Sequence, residues 1–135
     1  MKRTVLFLSF IALLAVSCKK TSKPELVAEE FLSAYLDCRY QDAERLAAEE
    51  VMEQMRWRLS QLTQAELELV NDNVPQVSTE EVMMCGDSCF VTLRASDALL
   101  LDSIGLPAHV GDQQYRLVLQ REEKGSNWKV TALNP

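Results

Sequence analysis

The stretch that decides the fold is Phe90-Val91-Thr92-Leu93-Arg94-Ala95. Val91, Leu93 and Ala95 fall on one side of an extended chain, and Phe90, Thr92 and Arg94 on the other, the period of two of a half-buried strand. Sequence upstream of about residue 75 repeats every three or four residues instead. Downstream the period of two returns twice. Tyr115, Leu117 and Leu119 alternate with Arg116 and Gln120, and Trp128, Val130 and Ala132 alternate with Lys129 and Thr131. The polar, glycine-containing segment 122–127 between them reads as a hairpin connection. Leu99 to Val110, with Leu99-Leu100-Leu101 and Pro107, reads as a strand extension followed by a loop.

Just upstream of Phe90, Cys85-Gly86-Asp87-Ser88-Cys89 admits two registers. A three-residue loop sets Cys85 opposite Cys89, close enough to bridge. A two-residue turn with Gly86 first sets Cys85 opposite Ser88 and puts Cys89 with Val91 and Leu93. The shorter turn also places Val82, rather than Met83, in the apolar set. The expectation is therefore the shorter turn, a buried Cys89 thiol and no bridge within the hairpin.

The helical half opens at Ser22-Lys23-Pro24-Glu25, a capping serine, a first-turn proline and a glutamate able to return a capping bond. Val27, Phe31, Tyr35 and Cys38 then form one stripe of a helix, with Glu29, Glu30, Ser33 and Asp37 on the other side. Asp42 can start a second helix whose stripe is Ala48, Met52, Met55, Leu59 and Leu62. Thr63 and Glu66 form a capping box for a short third helix over 64–70. Asn71-Asp72-Asn73-Val74-Pro75 ends this half. Helices first and an antiparallel sheet second is the order of an α+β domain with helices packed on one sheet face.

Residues 24–50, GDSCFVTL at 86–93 and SNWKV at 126–130 resemble small secreted domains of the nuclear-transport-factor-two-like superfamily. They resemble more closely bacterial lipoproteins with a lumazine-binding-like or cystatin-like cone. The resemblance implies a curved antiparallel sheet wrapping a long first helix, with a pocket at the open end in many members. It implies no one activity, because isomerases, dehydratases, ligand binders and scaffolds share that cone.

Catalytic chemistry is thinly represented. His109 is the one histidine, and Asp112 is the residue placed to orient it as a base. No nucleophile or oxyanion motif accompanies the pair, so His109 reads as a loop residue in solvent. Glu49-Glu50, Glu80-Glu81 and Glu122-Glu123 are neighbours in sequence, which diverge on a helix or strand and so read as solvated charge. Arg56-Trp57-Arg58 reads as a helix rim whose arginine stems cover apolar surface. Cys38, Cys85, Cys89 and His109 lack the spacing of a zinc site, and neither a metal nor a cofactor is expected. An apolar pocket has its best candidates in Tyr35, Tyr115 and Trp128, whose rings carry polar tips, although such stripes more often fill a core.

The N-terminus supplies an address. Lys2 and Arg3 precede the uncharged run 4–17, too short to span a bilayer, and Ala15-Val16-Ser17-Cys18 resembles the lipobox at which a lipoprotein's cysteine is acylated. Residues 1–17 thus read as a signal peptide, 18–23 as a lipidated tether and 24–135 as one cone domain. The chain has 14 Lys+Arg and 20 Asp+Glu; without Lys2 and Arg3, 12 face 20, a net of −8. That balance argues against nucleic acid as a partner and leaves membrane attachment to the lipid. Lys19 lacks the acidic character that marks retention at the inner membrane or export to the surface in such lipoproteins. The expected location is the cell envelope, at the outer membrane facing the periplasm. The expected role is a binding or interaction module for a protein or small-molecule ligand, without catalysis of its own; the alternative is an isomerase or dehydratase on the same cone. Cleavage between Ser17 and Cys18 is expected, and Cys18→Ala should yield an unprocessed or soluble protein. A Cys18→Ala chain that loses its signal yet still sediments with membranes contradicts the anchor.

Overall fold

A computed structural model of the chain describes residues 23–100, 109–123 and 126–134. Residues 1–17, read above as a signal peptide, the expected lipidation site Cys18, the capping candidate Ser22 and the segment 101–108 lie outside the described residues. Four helices come first: α1 (Pro24–Leu36), α2 (Tyr40–Glu44), α3 (Glu49–Gln61) and α4 (Gln64–Asp72). Four strands follow: β1 (Gln76–Cys85), β2 (Ser88–Leu100), β3 (His109–Gln120) and β4 (Lys129–Asn134). They form one curved, open antiparallel sheet in the order β1-β2-β3-β4, an α+β fold.

The helix starts differ in quality. Lys23, not Ser22, occupies the cap position of α1, with Pro24 in the first turn and no side-chain capping bond. Thr63 caps α4 as expected: Thr63 Oγ1 accepts from Glu66 N–H, and Glu66 accepts from Thr63 N–H. Between them, the helix expected from Asp42 onward is broken in two. Leu46-Ala47-Ala48 runs alongside β4 instead, with Ala48 N–H donating to Val130 O and Val130 N–H to Leu46 O, both at 2.8 Å. These bonds to the sheet replace helical ones, so α2 stops at Glu44 and α3 restarts at Glu49.

Helix α1 crosses all four strands and is buried on more than one stripe. Phe31, Leu32 and Leu36 are fully buried, as are Val91, Leu93, Leu117, Leu119 and Val130 of the sheet. Met52 and Met55 of α3 close the same core. The shorter turn is the one found: Cys85 pairs with Ser88, Met84 with Cys89, and Gly86 alone of the two turn residues has a positive φ, 62°. Cys38, Cys85 and Cys89 are free thiols, and Cys89 is buried.

Two details of register depart from simple alternation. A bulge between Val118 and Leu119 of the β3–β4 pairing shifts β4, so that Val130 and Leu133 are buried and Ala132 is not. Ala132 instead pairs with Val118. Val82 does lie opposite Val91, yet it is 40% exposed, because the helices do not cover that end of β1. Gly86 would meet no atom within 4 Å if it carried a Cβ, so the cost of a side chain there is purely conformational. Gly86→Ala should lower stability by about 1–2 kcal/mol with an unchanged urea m-value. An unchanged urea midpoint contradicts this turn.

Candidate functional site

The sheet has two edges, and the chain treats them differently. The β4 edge is occupied by Leu46-Ala47-Ala48, and Lys129 Nζ adds a bond to the Arg45 carbonyl. The β1 edge has no such cover: among the described residues no backbone hydrogen bond reaches β1 from its outer side. Its first half carries usual deterrents to strand addition, a bulge at Glu80 and two glutamates. Arg94 lies 3.5 Å from Glu80, and Gln114 donates to the same carboxylate. Its second half, Val82-Met83-Met84-Cys85, carries neither charge nor proline and is exposed throughout.

The pairing extends this half across the outer face. Met83 lies opposite Phe90, Phe90 opposite Val118, and Val118 opposite Ala132, an apolar row spanning all four strands. Met83 is 56% exposed and Phe90 41%. The next row, Glu81, Thr92, Arg116 and Asn134, is polar and bounds it. Alternation puts Phe90, and Val118 between Arg116 and Gln120, on the solvent side, but it gives no sign that Ala132 would join them. That signal appears only with the bulge.

The three ring residues expected to line a pocket belong to the core. Tyr35, Tyr115 and Trp128 are all buried in one cluster. Tyr35 packs on Phe31 with ring centroids 5.9 Å apart, and Tyr115 sits across from Leu93. Trp128 borders a cavity of about 190 Å³ shared with Val27, Arg45, Leu46, Asn127 and Lys129, and carries the Arg121 guanidinium 4.6 Å above its ring. Arg121 in turn pairs with Asp87 at 2.9 Å, tying the β3–β4 connection to the β1–β2 turn.

His109 lies in β3, not in a loop, and is exposed. Asp112 is three positions along the same strand, and residues an odd number apart face opposite sides, so the strand separates the two. Glu49 pairs with Arg56 at 2.7 Å, and that bond together with Tyr40 favours the charged guanidinium. Among the described residues no group of three or more His, Cys, Asp or Glu is placed to hold a metal ion, and no helix is long and apolar enough to cross a membrane.

Arg58 was expected on an exposed rim. It is instead the buried charged side chain of the described core, 5% exposed. Its Nη2 donates to the Leu99 carbonyl at 2.7 Å, and the guanidinium lies 5.5 Å over the Tyr35 ring. Trp57, its neighbour, remains 54% exposed because a helix turns adjacent residues 100° apart. Burial raises the pKa of Tyr35 and Arg58 lowers it, leaving the phenol above its ordinary range.

The chain matches no family model, no curated protein and no solved structure.

Proposed function

We propose that this protein is an envelope-anchored interaction module that captures an extended segment of a partner protein along β1. The single observation that carries this reading is the contrast between the two sheet edges. One is closed by the chain's own residues 46–48, while the other presents Val82 to Cys85 with open backbone and uncovered apolar side chains. An added strand satisfies the open backbone groups and places alternate side chains on the Met83–Phe90 row. The anchor rests on Ala15-Val16-Ser17-Cys18 and on the cone resemblance, and it sets the edge close to a bilayer through a short tether.

The partner's chemistry follows from the flanks. Glu80 and Glu81 precede the apolar half, and the whole chain carries a formal net charge of −6. A second copy would bring the same glutamates and the same sign, so self-pairing is disfavoured. The fitting occupant is a strand from another protein, apolar at alternate positions and carrying a lysine or arginine to meet Glu81.

The probe is a ten-residue peptide of alternating valine and threonine with one lysine set to face Glu81. Titrated against the full-length protein, it should slow amide hydrogen exchange at Val82–Cys85. Met83, in the outer row, is more than half exposed, so Met83→Lys should leave the fold intact as judged by circular dichroism. It should weaken the peptide by about tenfold, the loss of one buried side chain's contribution. No slowing, or equal slowing in Met83→Lys, contradicts the docking edge.

A further inference from the structure

The closed edge of the sheet holds a second arrangement, separate from β1. Where residues 46–48 lie along β4, a cavity of about 190 Å³ opens between Val27, Arg45, Leu46, Asn127, Trp128 and Lys129. Its space is that of about six waters, at roughly 30 Å³ each. Val27 of α1, Leu46 and Trp128 make its apolar wall, and Val27 and Trp128 are held rigidly in the core.

The polar groups around that wall are mostly donors. The Trp128 indole N–H makes no hydrogen bond among the described residues, yet its nitrogen is not among the side-chain atoms sealed from solvent without a partner. A donor on a side chain nineteen-twentieths buried therefore reaches accessible space, and this is a cavity that Trp128 borders. Lys129 spends one of its three ammonium hydrogens on the Arg45 carbonyl and keeps the other two. Arg45 Nη2 lies 3.6 Å from Asp42 and 3.9 Å from Glu30, exposed ion pairs too long to be hydrogen bonds. Neither carboxylate borders the cavity, whereas the Asn127 carboxamide does.

We propose that this cavity binds a small monocarboxylate with a flat apolar body, of the size and type of benzoate. The planar guanidinium of Arg45 matches a carboxylate in geometry as well as charge, and Lys129 supplies a second cation. Trp128, Val27 and Leu46 take the apolar body out of water. An inorganic anion would use the donors and leave that wall wet. A hydrocarbon would cover the wall and leave the donors unmet. The site lies at the sheet edge opposite Val82–Cys85, so it stands or falls independently of strand capture there.

The test uses the full-length protein carrying Trp57→Phe. Trp57 is one of two tryptophans and is more than half exposed, so its replacement spares the core and leaves Trp128 as the single indole. In proton–nitrogen NMR spectra at neutral pH, benzoate should shift the Trp128 indole N–H saturably in the millimolar range, an affinity that about nine non-hydrogen atoms allow. Benzamide keeps the ring without the charge, and acetate keeps the charge without the ring; each should need about tenfold more. Arg45→Gln changes an exposed side chain and should weaken benzoate about tenfold, the loss of one charged hydrogen bond. No shift with benzoate, an equal response to benzamide or acetate, or an undiminished response in Arg45→Gln overturns the proposal.

Discussion

The packing of α1 into the concave side of the sheet is the contact on which the rest depends. Phe31, Leu32 and Leu36 have no solvent-exposed surface to speak of, and they fill the space over Val91, Leu93, Leu117 and Leu119. Each such side chain contributes about 1.5–3 kcal/mol on burial. Without the helix, the inner face of a four-stranded sheet would stand bare to water. Without the sheet's curvature, one helix could not touch all four strands. The bulges near Glu80, between Ala95 and Ala98, and at Val118–Leu119 accompany that curvature. Thr79 adds a polar tie across the same interface, donating to Glu29 of α1 at 2.6 Å.

The same packing explains where the molecule is left open. A helix of 13 residues is about 20 Å long, and its cover gives out before the end of β1, where Val82 and Met84 point towards the helical side but remain exposed. The opposite margin is closed by residues 46–48, whose pairing with Val130 costs the chain a continuous second helix. One closed and one open edge give the sheet a direction. Arg58 is a different kind of irregularity, a charge drawn inside because the Leu99 carbonyl and the Tyr35 ring receive it there.

Much of this was legible in the residues. The change of period near residue 75 gave the order of helices and strands, and the register argument at Gly86 placed Cys89 inside. Thr63 and Glu66 announced their capping box directly, since both partners lie within four residues. What escaped shares one cause: it depends on contacts distant in sequence. The break after Glu44 is set by Val130, more than eighty residues later, and no local pattern encodes it. Arg58 looks like a rim residue beside Trp57 until Leu99, 41 positions on, supplies its acceptor. Alternation predicted Ala132 inside, and a single bulge turned it outward to extend the Met83–Phe90–Val118 row. Tyr35, Tyr115 and Trp128, the pocket candidates by virtue of their polar tips, are buried together in the core, as such stripes more often are.

The central claim is that one helix protects the middle of this sheet, while the end of β1, paired on one side with β2, has no partner on its outer edge among the described residues. Native-state amide hydrogen exchange on the full-length protein tests it residue by residue. The slowest amides should be those of Val91, Leu93, Leu117 and Leu119 and the middle of α1, exchanging through global unfolding. Residues Val82 to Cys85 should be orders of magnitude faster at the amides that do not face β2. Protection there equal to that of β2, with no partner added, would contradict the account.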